Sequence, residues 1–155
     1  MNNIKRILVV SRMTKQCCTT LSYGVSLSEK YGAELYVIHV IHDIFGTDMT
    51  GWNLSIPSLG EEFKKSVQKA KEELDALINS EKQKGMSIKE LMKEGEPTEE
   101  ILKAVKEEHI DLLIMLAHEE GRLEHFLFGR SNEKVIRQMP CSILLVKKEP
   151  EPVSF

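Results

Sequence analysis

The sequence predicts an α/β domain built on a buried parallel sheet. Three observations carry that prediction. Short, continuous apolar runs recur along the chain, at Ile7–Val10, Leu112–Ala117 and Ile143–Val146. Runs of that kind fit strands covered on both faces. Between them lie segments with helical apolar spacing, and strands alternating with helices imply βαβ crossovers and a doubly wound sheet.

The elements follow in order. Ile7–Val10 is the first strand. Thr14–Tyr31 places Cys18, Leu21 and Val25 near one face of a helix. Leu35–Ile41 is a second strand, apolar but for His39 near its end. Leu59–Glu81 is the clearest helix. Phe63, Val67, Ala70, Leu74, Leu77 and Ile78 recur at spacings of four and three, an amphipathic stripe. Glu61 and Lys65 add an i,i+4 pair outside it. In Met86–Met92 the apolar residues Met86, Ile88 and Leu91 are interrupted by Ser87, Lys89 and Glu90, which fits a half-exposed edge strand. Pro97 opens a third helix at its first turn, where a missing N–H costs little, and Ile101, Leu102 and Val105 are expected to face inward. Leu112–Ala117 is the fourth strand. Ser131–Met139 is the last helix, stopped by Pro140, and Ile143–Val146 the last strand. Residues 1–148 are expected to form the single domain and 149–155 a polar tail.

Composition narrows the class. The 155 residues suit one core, and 41% apolar with 29% charged content is that of a folded domain. A net charge of -3 gives no electrostatic footprint for nucleic acid or an acidic membrane. No apolar run reaches the roughly 20 residues needed to span a bilayer. The amino-terminal stretch turns polar too soon for a signal peptide. Three cysteines, two of them adjacent, make no disulfide framework, so a cytoplasmic setting is expected.

In an open α/β sheet ligands bind outside the carboxyl ends of the strands. Three segments belong there: Ser11–Thr14, His39–Asp43 and Ala117–Ser131. The last reads AHEEGRLEHFLFGRS and runs straight into a helix. Gly129 lets the backbone approach a ligand, the following N–H groups form an anion site, and Arg130 and Ser131 add a charge and a hydroxyl. The plainer alternative is a glycine turn with Ser131 as an ordinary N-cap.

At this point the residues carry a likeness. The pieces IKRILVVS, GAELYVIHVI, GEPTEEILKAVKEEHIDLLIML and GRSNEKVIRQMPCSILLVK occur in one order across nearly the whole chain. In that combination the sequence resembles the universal stress protein family, of the universal stress protein A type. The resemblance implies a Rossmann-like, five-stranded parallel sheet in the order 3-2-1-4-5 with helices on both faces. It also implies a homodimer paired through the fifth strand, and a role in stress response and not in catalysis.

Nucleotide-binding members of the family share a glycine pattern: Gly, two residues, Gly, nine residues, Gly, then Ser or Thr. Counted back from Gly129, the earlier glycine places fall on Leu116 and Glu119, and the Ser/Thr place on Arg130. The acidic residue expected after the first strand is replaced by Arg12, while Val40 keeps an apolar, adenine-contacting place. Side chains at Leu116 and Glu119 exclude glycine-only conformations, and Glu119 with Glu120 repels a triphosphate. Arg12 and Arg130 partly offset that charge. These departures weigh against ATP as a bound cofactor. The candidate nucleotide or anion site is therefore Arg12, Val40, His118, Gly129, Arg130 and Ser131.

Weaker candidates surround these. Cys17 and Cys18 lie near the start of the first helix but point in different directions, against a redox pair. Cys141 is expected to pack at the start of the fifth strand. His39 with His42, and His118 with His125, lack the converging ligands a metal needs, so structural or solvent-facing roles are expected. The connection His42–Ser58 holds Ile44, Phe45, Met49, Trp52, Leu54 and Ile56, enough to make a lid, a partner surface or a cover for the core. An apolar edge strand at Ile143, Leu144, Leu145 and Val146 invites pairing with a second chain.

Three functions follow for testing. The first is a non-catalytic, dimeric stress-response adaptor acting on an unidentified protein partner. The second is an ATP- or AMP-binding switch using the loop before the last helix. The third is an enzyme or phospho-acceptor, the weakest, because the end of the first strand offers Ser11 and Arg12 where a metal would need acidic residues.

Overall fold

The apolar runs Ile7–Val10 and Leu112–Leu116 become strands covered on both faces, whereas Ile143–Val146, expected to be covered likewise, becomes a partly exposed edge strand because it has a neighbour on one side only. The structure, a computed structural model, describes residues 3–11, 17–41, 57–117 and 131–147. Strand β1 is Arg6–Ser11, helix α1 Cys17–Tyr31, β2 Glu34–Ile41, α2 Pro57–Gln83 and β3 Ile88–Glu94. Helix α3 is Pro97–Glu107, β4 Leu112–Leu116, α4 Ser131–Gln138 and β5 Ser142–Val146. All neighbouring strands pair in parallel, in the order β3-β2-β1-β4-β5. The expected sheet and its strand order are both present.

Alternation along each strand sorts the core into two layers. Ile7 and Val9 of β1, Leu35 and Val37 of β2, and Leu112, Ile114 and Leu116 of β4 pack beneath α1 and α2. Leu8 and Val10, Tyr36 and Ile38, and Leu113 and Met115 pack on the other face against α3 and α4. Leu21 of α1 and Leu74 and Ile78 of α2 supply the first layer, as their helical spacing predicts. Ile101, Ala104 and Val105 of α3 and Val135 of α4 supply the second. Each fully buried aliphatic side chain here is worth about 1.5–3 kcal/mol.

Gly24 lets α1 lie close to the sheet. A Cβ at that position would stand 2.5 Å from Val9 Cγ2 and 3.1 Å from Leu35 Cδ1. At the amino edge, the Asp111 carboxylate accepts from the N–H groups of Lys5 (2.8 Å) and Arg6 (2.9 Å), tying the entry of β4 to that of β1.

Three expectations are corrected. The edge strand runs over Ile88–Glu94 and not Met86–Met92. The end of α2 consumes Met86, whose N–H donates to the Glu81 oxygen after Gly85 turns at φ 97, so pairing starts with Ile88 opposite Leu35. The strand continues to Glu94 because β2 continues to Ile41, and main-chain pairing needs no apolar side chain. Helix α2 begins at Pro57, so Pro57 and Ser58 belong to the helix and not to the connection before it; proline is well suited to a first helical position. Leu102 is only half-buried, and Ala104 takes the inward place expected for it. Residues 42–56, with the apolar groups considered as a lid or partner surface, lie outside the described residues, as do the side chains of Phe63, Val67, Ala70 and the Glu61 end of the i,i+4 pair.

Candidate functional site

The strand order reverses between β1 and β4, so their carboxyl ends border the crevice where an open α/β sheet takes its ligands. Ser11 ends β1 and is buried. Leu116 ends β4. Among the described residues the last pair of β1 with β2 is Ser11 opposite His39, and Val40 and Ile41 pair with Lys93 and Glu94 of β3. Val40 is partly buried and packs on the layer beneath α3 and α4. Arg12, His118, Gly129 and Arg130 lie outside the described residues; Ser131 is the first residue of α4, and its side chain is likewise outside them.

Asn132 at the second place of α4 holds this edge together. It is buried, and its Nδ2 donates to the main-chain oxygen of Leu116 at 2.9 Å. Beside it the Ala117 N–H donates to the Val146 oxygen at 2.7 Å, carrying the ladder one residue past β4. Leu116 stands at the first glycine place of the nucleotide pattern. In this fold its side chain is buried in the layer beneath α1 and α2, and its carbonyl is engaged by Asn132. Sequence reasoning passed over Asn132 because Ser131 beside it was the better-known cap. The available signal was an asparagine one place into a helix, where that residue is otherwise unfavourable.

His39 lies inside β2, as the Leu35–Ile41 run predicts, and is 2% exposed. Its Nε2 sits 3.3 Å from Glu90 Oε1 on β3, and Lys82 Nζ at the end of α2 sits 3.2 Å from the other carboxylate oxygen. Local sequence could not reveal this chain of three groups, because His39 and Glu90 are 51 residues apart and meet only through parallel pairing. Among the described residues no cluster of histidine, cysteine or acidic side chains is arranged to hold a metal ion. Cys141 is half-buried against the α3 and α4 layer, and burial pushes its thiol pKa up. That makes it a poor nucleophile.

The two edges of the sheet differ in chemistry. On β3, Lys89 lies 3.6 Å from Glu34, with the Tyr36 hydroxyl donating to the same carboxylate at 2.9 Å. The Tyr36 hydroxyl and the Lys89 charge hold the Glu34 carboxyl below its ordinary pKa. On β5, Ile143 and Leu144 are half-buried and Leu145 is 46% exposed. Among the described residues no helix is long and apolar enough to cross a membrane.

A doubly wound parallel sheet with its crevice at the β1 and β4 ends defines a Rossmann-like α/β protein. More specifically, the model of the universal stress protein family matches residues 3–147, and the chain belongs to that family. A universal stress protein of Methanocaldococcus jannaschii is 26% identical over 155 residues, covering 94% of this chain and 96% of the relative. Its solved structure has a TM-score of 0.62 at 25% identity, over 97% of this chain and all of that one. A universal stress protein from Archaeoglobus fulgidus solved in complex with dAMP has a TM-score of 0.57 at 15% identity, over 94% of this chain and 98% of that chain. Another, solved in complex with cAMP, has a TM-score of 0.58 at 14% identity, over 94% and 98%. The last two likenesses concern the fold alone.

Proposed function

We propose that this chain is a non-catalytic, cytoplasmic universal stress protein that works as a homodimeric adaptor, pairing through β5 and presenting its surface to a protein partner. The observation that carries the reading is the contrast between the sheet edges. Strand β3 is lined by Lys89, Glu90, Lys93 and Glu94, charges of the kind that block edge pairing. Strand β5 ends the sheet with Ile143, Leu144, Leu145 and Val146 in a row. An apolar edge of that length is a template for a second copy. Light scattering on the purified protein is the test. A dimer mass at micromolar concentration, shifted to monomer by Leu145→Lys, is expected. A monomeric wild type defeats the dimer.

A second reading is favoured by the dAMP and cAMP complexes of two proteins with this fold. In it the crevice takes an adenine monophosphate, with Val40 against the base and Gly129, Arg130 and Ser131 at the phosphate. A monophosphate fits this sequence better than ATP. Leu116 fills one glycine place with a buried side chain and a carbonyl already bonded to Asn132, and Glu119 and Glu120 add repulsion. Calorimetric titration of AMP and ATP separates the two. Saturable AMP binding with ATP weaker supports this reading, and a flat AMP titration ends it.

A further inference from the structure

Helix α4 carries an ion pair on its surface. Arg137 Nη2 lies 2.7 Å from Glu133 Oε1, one turn away, and both side chains are exposed. Such a pair adds little to the stability of a single chain. Its place in the fold is more informative. Asn132 and Val135 are buried, and Ile136 packs on the α3 and α4 layer, as does Ile143 of β5. At 3.6 residues per turn, Glu133 falls to one side of that buried stripe, Arg137 follows on the same side, and Lys134 falls to the other. Lys134 is on the α3 side, since its charge acts on the Glu96 carboxylate at the start of α3. Glu133 and Arg137 therefore line the flank turned away from α3. A right-handed crossover sets α4 over β4 and β5, and β5 ends the sheet, so this flank overhangs the β5 edge.

A second copy joined at that edge brings the same flank to meet it. Two identical edges closed by antiparallel pairing are related by a two-fold axis perpendicular to the sheet. Neighbouring strands lie about 4.8 Å apart, so each α4 stands two spacings, about 10 Å, from its mate. Helices pack at about that distance. The axis keeps both helices on one face and makes them antiparallel. Asn132 is bonded to Leu116, and Leu116 pairs with Val146, so the start of α4 is level with the end of β5. The middle of α4 is then level with the middle of β5. An axis through the middle of β5 sets Glu133 of each copy opposite Arg137 of the other.

We infer that Glu133 and Arg137 are the self-recognition residues of the β5 dimer, each Glu133 meeting Arg137 of the partner subunit across the two-fold axis. An apolar edge such as Ile143–Val146 pairs with any apolar strand. Complementary charge beside it selects which chain is accepted, because charges across an interface supply specificity more than affinity. A chain with the same two charges in the same order completes the four-charge network. The inference rests on the β5 dimer proposed above and adds to it what chooses the partner.

A charge-reversal pair tests it. Glu133→Arg leaves two positive charges on the flank, and Arg137→Glu leaves two negative ones. Like charges then face each other in either homodimer, and its dissociation constant should rise about tenfold by sedimentation equilibrium. An equimolar mixture of the two variants should form the heterodimer in excess of the statistical half, read by native mass spectrometry. The double variant, with the pair reversed, should dimerise like wild type. It also guards against a folding defect in the single variants, which thermal melts report separately. A pair that only supports its own helix is lost equally in both single variants and gives no preference for the heterodimer. Homodimers of both folded variants as tight as wild type, or a statistical mixture, overturn the inference and leave the β5 dimer standing. A monomeric wild type overturns both.

Discussion

Asn132 Nδ2 donates a 2.9 Å hydrogen bond to the main-chain oxygen of Leu116, so the first turn of α4 is tied to the last residue of β4. These two positions bracket the segment in which the family carries its glycine pattern. A side chain that closes that segment from both ends sets the spacing between β4 and α4, whatever lies between them. Replacing Asn132 by Leu should leave the Leu116 carbonyl buried and unpaired, at a cost of about 1–3 kcal/mol. Urea denaturation checks this, and a change under about 0.5 kcal/mol would show that the bond does not hold the edge.

Gly24→Ala should destabilise the protein although alanine is the better helix former. The helix-propensity gain is about 1 kcal/mol. Against it, the new Cβ would meet Val9 Cγ2 at 2.5 Å and Leu35 Cδ1 at 3.1 Å, both in the fully packed layer. Overpacking of that kind costs about 1–3 kcal/mol and separates α1 from the sheet. A lowered denaturation midpoint is expected, and a raised one would show that α1 can shift without loss.

His109→Gly should have the opposite sign. His109 follows the end of α3 at φ 51, and the N–H of Ile110 after it donates to the Val105 oxygen at 3.0 Å, a left-handed helix stop. The side chain is exposed, so little packing is lost. Relief of the left-handed strain is worth about 1 kcal/mol. Met139 at φ 43 closes α4 in the same way, and Met139→Gly should add a similar gain. Thermal melts of the single and double variants read both.

Glu96 makes stability depend on pH. It caps α3, its carboxylate accepting from the Glu99 N–H at 2.8 Å. Burial alone would raise its pKa, but the N–H groups of Glu99 and Thr98 outweigh that and hold it below the ordinary 4.5. A depressed carboxyl contributes stability that is fully present above 4.5 and is lost as pH falls through the lower folded-state value. Glu96→Ala should therefore cost about 1 kcal/mol at pH 7 and progressively less below pH 4. An equal difference between variant and wild type at pH 7 and pH 3 would remove the charged cap as the cause.

Much of the architecture was legible without coordinates, for identifiable reasons. A strand buried on both faces needs an unbroken apolar run, and Ile7–Val10 and Leu112–Leu116 have nothing else to become. The stripe that ends in Leu74 and Ile78 marks a helix face by its spacing alone. Boundaries were less legible where side chains do not record them. The shift of β3 to Ile88–Glu94 came from a helix stop at Gly85 and from the length of β2, neither written in the apolarity of residues 86–94.

The sequence by itself determined the fold class, the two-layered core and the chemistry of the two sheet edges, because periodicity and composition act over a few neighbouring residues. Only the tertiary structure decided what His39 and Asn132 do. Each meets a partner on another element, Glu90 at 51 residues and Leu116 at 16, and such contacts arise from strand register and helix docking. At position 39 a local reading sees one histidine in an apolar strand. Parallel pairing with β3 makes it a buried ring with one nitrogen set against Glu90.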